Sequence, residues 1–287
     1  MEETKINISM NRHNDPVYEA MFDDLIQEVF DFSFAPWFAC KLWDERYESY
    51  SIIQEGKMLS NVCIYKTDML LRGKTLRVHQ FGGIATRKSV RRKGLSRILM
   101  EHVLSLYADI PAFLYANSSV TDFYPLFGFR RAQAYRPGIA TEINNPSGKA
   151  VKYDARDSFI SEALNGNRIY SDIADSLNTQ PIQTFHLLLD YPDSIYFLPD
   201  CGAVVIAEQN YGVLFLADVI SQSPISFDKL KSELPFSGVN YVEFGFCPDW
   251  LGVDPRWEPE DEVEEPFFLI GDWSLPETFR FPAMSVT

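Results

Sequence analysis

Between Ile84 and Met100 the sequence reads Ile-Ala-Thr-Arg-Lys-Ser-Val-Arg-Arg-Lys-Gly-Leu-Ser-Arg-Ile-Leu-Met, with six basic residues from Arg87 to Arg97 and a single glycine, Gly94. An apolar strand pattern thus ends in a cationic loop that opens an amphipathic helix. The first turn of a helix offers unpaired backbone N–H groups and the positive end of the helix dipole. A glycine there lets an anion approach the backbone closely. Arg91, Arg92, Lys93, Gly94, Leu95, Ser96 and Arg97 are therefore the candidate cradle for a pyrophosphate. Two common phosphate loops are excluded, because the chain has no G-x-x-x-x-G-K-[ST] and no G-x-G-x-x-G after a strand pattern.

A second group lies downstream, in Phe113-Leu-Tyr-Ala-Asn117-Ser-Ser-Val-Thr-Asp-Phe123-Tyr124-Pro-Leu-Phe-Gly128-Phe129. The spacing Arg91-x-x-Gly94-x-Ser96 resembles the acyl-CoA loop of the GNAT superfamily of N-acetyltransferases, written [QR]-x-x-G-x-[GA]; Ser96 is a departure at the last position. The Asn117-to-Tyr124 interval followed by Gly128-Phe129 resembles that superfamily's next motif, in the right order and at the right distance from Gly94. The resemblance covers residues 5 to 135, and the loop is most similar to the enhanced-intracellular-survival (Eis) type, which carries extra C-terminal domains.

The resemblance implies acetyl-CoA as cosubstrate and no metal. It implies that the strand before the loop splays, so that the backbone of Ile84, Ala85 and Thr86 meets the pantetheine and the thioester carbonyl. It makes Asn117 a CoA contact and Tyr124 the general acid. A phenol with a pKa near 10 suits protonation of a thiolate of similar basicity. The base stays open. Where some members carry a Glu eleven residues before the loop's first Arg or Gln, this chain has Gln80, which cannot accept a proton. His79 is adjacent but points to the other strand face. Eis-type enzymes use the C-terminal carboxylate, which would make Thr287 the candidate; a water chain or an already neutral amine needs no residue.

The elements needed to position these groups can be read from periodicity. Strand patterns cover Lys5–Met10, Tyr50–Gln54, Lys57–Tyr65, Leu76–Thr86, Ala112–Asn117 and Arg130–Tyr135, the last as closing strand. Helical patterns cover Pro16–Phe30, Gly94–Tyr107 and Val120–Phe127. The fold class expected is α+β with a mixed sheet: a GNAT acyltransferase domain over 1–138, a turn-rich linker over 139–152, and an acidic α+β accessory domain over 153–287. In that second part Ser194–Leu198, Gly202–Glu208, Val213–Ile220 and Tyr241–Phe246 read as strands, Asp157–Leu164 and Phe227–Leu234 as helices, and Phe279–Val286 as a closing strand. The alternation fits either a degenerate GNAT-like copy that lacks the basic loop or an unrelated α+β domain. Glu258–Glu265 carries six acids and reads as a solvated loop.

Composition narrows the partners. Residues 1–150 hold 19 Lys+Arg against 17 Asp+Glu, and residues 151–287 hold 7 against 23, giving the overall charge of −14. Such an acidic half repels a phosphate backbone, which argues against nucleic acid. It either draws a cationic amine acceptor towards the site or serves as a solubilising surface. No apolar stretch reaches the roughly 20 residues of a membrane span, and the N-terminus lacks a signal pattern, so a cytoplasmic protein is expected. Cys40, Cys63, Cys201 and Cys247 form no CxxC and read as buried free thiols. Phe30-Asp-Phe-Ser-Phe-Ala-Pro-Trp-Phe38 reads as core, or as an acceptor-pocket wall with Asp31 meeting a cation. The apolar strands of the second half could supply a homo-oligomer interface. The expected function is acetyl transfer to a primary amine by direct attack; the rival is a non-catalytic acyl-CoA sensor or scaffold.

Overall fold

The computed structural model describes residues 7–10, 15–146, 148–260 and 266–287. In chain order the strands are β1 (Ile8–Met10), β2 (Tyr47–Gln54), β3 (Lys57–Leu71), β4 (Lys74–Thr86), β5 (Ala112–Tyr115), β6 (Arg130–Ala132), β7 (Tyr135–Ile143), β8 (Val151–Lys152), β9 (Ala174–Leu177), β10 (Ile195–Leu198), β11 (Ala203–Asn210), β12 (Val213–Ser221), β13 (Val239–Phe244), β14 (Arg256–Pro259) and β15 (Phe267–Ile270). The helices are α1 (Pro16–Phe30), α2 (Ala35–Ala39), α3 (Leu95–Leu106), α4 (Ser158–Asn165), α5 (Gln180–Leu189) and α6 (Phe227–Glu233).

Two tight hairpins build the first sheet. Glu55 and Gly56 (φ 51° and 72°) turn β2 into β3, and Arg72 and Gly73 (φ 48° and 71°) turn β3 into β4. Positive φ at both turn positions matches the right-handed twist of the flanking strands. Helix α1 starts at Asp15, whose carboxylate accepts from the Val17 and Tyr18 amides at 3.0 and 3.3 Å, with Pro16 at the first helical position. Its buried face, Tyr18, Phe22, Leu25 and Ile26, lies on the sheet with Trp37, Trp43 and Tyr47. Helix α3 covers the same sheet through Leu99, Met100 and Val103.

The sheet order is β1-β2-β3-β4-β5-β15-β6, with β9 on the far end of β3. Strands β4 and β5 run parallel and pair at only two positions, His79 with Ala112 and Gln80 with Phe113, and then part. The second sheet has the order β14-β7-β13-β12-β11-β10-β8. It repeats one piece of the first: β12, helix α6 and the parallel strand β13, paired from Val213–Tyr241 to Leu216–Phe244. Beyond that point the tail enters, with the Ala283 amide donating to Gly245 O at 2.6 Å.

Several expectations need correction. The stretch read as a linker, 139–152, holds most of β7, whose Ile139 and Ile143 pack into the second core between β13 and β14. The two expected units, 1–138 and 153–287, interleave, because β9 and β15 return to the first sheet. The closing position beside β5 is taken by β15, whose Phe267, Phe268 and Leu269 are buried; Arg130–Ala132 becomes the edge strand. An apolar Phe-Phe-Leu-Ile between Pro266 and Gly271 out-competes a strand that begins with two arginines. Val120–Phe127 forms two short 3₁₀ turns, Ser118–Val120 and Tyr124–Phe127, because Pro125 removes the amide a continuous helix needs. Phe279–Val286 is no strand; Pro282 interrupts it and Ala283–Ser285 is a 3₁₀ turn. Of the acidic stretch Glu258–Glu265, the first two residues belong to β14 and residues 261–265 lie outside the described residues, as do Lys5 and Ile6 of the first expected strand. Among the described residues, no helix is long and apolar enough to cross a membrane.

Candidate active site

The parting of β4 from β5 leaves one edge of β4 without a strand partner beyond Gln80 among the described residues. The backbone there is bulged. Asn61 pairs with Ala85 and Cys63 with Gly82, so Gly83 and Ile84 stand opposite the single residue Val62. Gly83 takes φ 53°, and a Cβ there would sit 3.2 Å from Cys63 Sγ, so glycine serves both conformation and space. Asn61 Nδ2 donates to Gly83 O at 3.0 Å. In a trans peptide the N–H points opposite to the C=O. With Gly83 O held towards β3, the Ile84 N–H is directed away from β3, into the gap.

The cationic loop follows at once. Arg87 is used structurally: its guanidinium reaches Asp24 and Glu28 (2.6 Å) of α1, and its Nε donates to Met58 O at 2.7 Å. The carboxylates hold its proton more firmly than usual, although burial alone would weaken it. Arg91 Nε donates to Thr86 O at 3.2 Å. Arg92, Lys93 and Arg97 are exposed and form no ion pair among the described residues. Gly94 (φ 79°) is the N-cap of α3, makes no side-chain cap, and has nothing within 4 Å of an added Cβ. The opening amides of α3 thus lack a side-chain acceptor beside three free cations, an arrangement that binds anions. Ser96 ties the helix start to the strand end: its Oγ lies 2.6 Å from Thr86 Oγ1, which in turn lies 2.7 Å from Ser60 Oγ.

Across the gap, Asn117 lies two residues past β5, and its side-chain Oδ1 accepts from Ser119 N at 2.9 Å and Ser119 Oγ at 2.6 Å. Tyr124 opens the 3₁₀ turn that follows. It is buried against Phe123, Phe129 and Phe268, with ring centroids 5.5, 6.2 and 5.6 Å away. Burial pushes its phenol up to about 12, so it keeps its proton at neutral pH.

Thr287 lies on the opposite face of β4 from α3. Val78, Gln80 and Gly82 share that face by strand alternation, and His79 and Phe81 face α3. Gln80 Nε2 donates to the main-chain oxygen of Thr287 at 3.1 Å, and a Cβ on Gly82 would overlap Thr287 Oγ1. Thr287 and Asn117 line one cavity of about 480 Å³, with Tyr115, Ala116, His186, Asp190, Glu260, Arg280 and the tail around it. Tyr124 is not in this lining; it stands in the core cluster behind Ala116. Arg280 Nη1 donates to Glu260 at 2.6 Å. The structure therefore gathers the loop residues, Ile84–Thr86 and Asn117 around the split, and sets Thr287 on the far side of the same strand. His186, Asp190, Glu260, Arg280 and Asn61 escaped the sequence reading. They carry no motif, and tertiary packing alone brings them to the site.

His79 is a poor base here. It is buried edge-on to Tyr107 at 4.5 Å, its Nδ1 has no partner, and burial with nearby Lys66 lowers it to about 4. The aromatic stretch near Phe34 is core: Phe34 and Trp37 are buried among Phe22, Trp43 and Tyr47, and Asp31 caps α1 in a left-handed turn. Burial raises the thiols of Cys63, Cys201 and Cys247 to about 11, 12 and 12, so none is a ready thiolate. No metal-binding group of His, Cys, Asp and Glu occurs among the described residues.

Residues 17–132 match the family model of the acetyltransferase (GNAT) domain. The chain thus carries a segment that matches a GNAT acetyltransferase domain. Similar solved structures include a probable N-acyltransferase from Enterococcus faecalis V583, at TM-score 0.58 and 14% identity, covering 92% of this chain and 72% of that one. Eis1 from Mycobacterium abscessus is similar at TM-score 0.56 and 15% identity, over 91% of this chain and 73% of that one. A GCN5-related N-acetyltransferase from Kribbella flavida is similar at TM-score 0.54 and 12% identity, over 92% and 71%. At these identities the likeness is one of fold. No protein of curated function matches the chain at significant similarity.

Proposed function

We propose that this chain is an N-acetyltransferase that moves the acetyl group of acetyl-CoA to a primary amine by direct attack. The observation that carries this reading is the junction of two features. The opening amides of α3, ringed by Arg91, Arg92, Lys93 and Arg97, begin where β4 parts from β5. A pyrophosphate needs the first feature, and an extended pantetheine needs the free strand edge of the second.

The residues present fit that cosubstrate. The Gly94, Leu95 and Ser96 backbone would cradle phosphate oxygens. Ile84, Ala85 and Thr86 would offer main-chain groups to the pantetheine, with the Ile84 N–H polarising the thioester carbonyl. Asn117 supplies a further polar contact just past β5. As the amine nitrogen bonds to the carbonyl carbon and the C–S bond breaks, Tyr124 gives its proton to the departing sulfur. Before attack the acceptor's ammonium gives its proton to the main-chain oxygen of Thr287, beside Gln80, and the neutral amine is the nucleophile. The acidic balance of residues 151–287, 23 Asp+Glu against 7 Lys+Arg, favours a cationic acceptor. Four free thiols suit a reducing, cytoplasmic setting.

Calorimetric titration with acetyl-CoA, repeated on an Arg92→Glu, Gly94→Asp variant, tests the cradle. Micromolar binding that the variant loses supports it, and an amine screen then tests transfer. Binding without turnover on any amine would leave the sensor reading. No binding by the parent chain would sink both.

A further inference from the structure

We propose that His186 is a positioning residue that clamps the Val286–Thr287 peptide at the cavity beside β4. This rests on the reading of Thr287 as proton acceptor. The last residues make no strand pairing. Ser285 Oγ is held by Thr179 Oγ1 at 3.2 Å, but beyond it two side chains do the holding: Gln80 reaches Thr287 O at 3.1 Å, and His186 Nε2 lies 2.6 Å from Val286 O. His186 sits in the last turn of α5, and its Nδ1 lies 2.6 Å from Asp190 Oδ2. Helix α5 is itself anchored, since Trp37 Nε1 donates to Pro181 O at 2.7 Å.

A backbone carbonyl only accepts, so His186 Nε2 is the donor to Val286 O. The ring is thereby held between the side chain of Asp190 on its own helix and the tail peptide. A carboxylate base needs its oxygens fixed to well under an ångström to be useful. Clamping the peptide bond just before those oxygens achieves this.

The test uses the full chain with His186→Ala, His186→Gln and Asp190→Ala, read by the rate at which carboxypeptidase releases Thr287 and by kcat and KM. Losing this hydrogen bond is expected to speed release about tenfold and to lower kcat about tenfold, with KM for acetyl-CoA within about twofold. His186→Gln, which keeps an N–H donor, should recover part of both. Asp190 is half exposed, so Asp190→Ala tolerates folding and should shift release in the same direction. Unchanged release in His186→Ala and Asp190→Ala overturns the clamp, even if kcat falls. A chain lacking Thr287 that keeps full turnover sinks the base reading alone, and the release rates then still decide the clamp.

Discussion

Asn61 Nδ2 donates to Gly83 O at 3.0 Å, and this bond orients the one bulged peptide of β4 that faces the gap. Asn61 is fully buried and its own oxygen accepts from Ser49 Oγ at 2.5 Å, a hydroxyl also met by Tyr18 OH at 2.8 Å. The orientation of the Ile84 N–H is thus fixed by a chain of side chains reaching back to α1. Asn61→Ala leaves Gly83 O unpaired and free to rotate. Steady-state kinetics should show kcat down at least about tenfold, a fraction of what losing an oxyanion donor outright costs, with KM for acetyl-CoA little changed. Equal loss in both parameters would instead mean that the variant has disturbed binding.

Ser96 occupies the place where the loop pattern has glycine or alanine, and it serves as a strut to Thr86. Ser96→Ala removes a neutral hydrogen bond worth about 1 kcal/mol. Thermal unfolding should fall by about 2–4 °C, while affinity for acetyl-CoA stays within about threefold, because the amides of α3 are kept. A collapse of affinity with unchanged melting would make Ser96 a ligand contact.

His79 gives a pH dependence with a definite sign. Its folded-state value is lowered to about 4 from an ordinary 6.5, first by burial and then by Lys66. The folded protein therefore resists protonating it, and the unfolded chain does not. Its contribution to stability is fully present above pH 6.5 and is lost as the pH falls from 6.5 towards 4, by up to about 3 kcal/mol. Denaturant unfolding across that window should show a shallower loss in His79→Phe than in the parent chain. Identical slopes would mean that His79 titrates normally.

The legibility of this molecule divides along physical lines. Local signals placed the elements that hold the loop: Glu55-Gly56 turned β2 into β3, and the apolar spacing after Gly94 gave α3 within a residue or two. What failed was long-range. Nothing local marks Phe267–Ile270 as the neighbour of β5, since pairing across more than a hundred residues is decided by which apolar edge wins. The turn-rich composition around Pro137 and Gly138 masked β7, where Gly138 admits the Tyr241 ring. The cavity side chains His186, Asp190 and Arg280 come from α5 and the tail, and only the folded arrangement sets them around Thr287.

Tyr124 offers the sharpest separation of chemistry from packing. Its ring fills a place among Phe123, Phe129 and Phe268, and Phe fills the same volume. Tyr124→Phe should therefore melt at or slightly above the parent temperature and bind acetyl-CoA equally well. As the proton donor to the departing sulfur, the phenol contributes a factor typical of general acids, so kcat should fall about 10²-fold or more. Because burial raises its value to about 12, the proton remains in place throughout the range from pH 7 to 10. An alkaline fall in kcat with a midpoint below 10 must then come from another group, and it should persist in whatever turnover Tyr124→Phe retains. Full turnover by that variant would remove Tyr124 from the mechanism and leave it as a wall of the core.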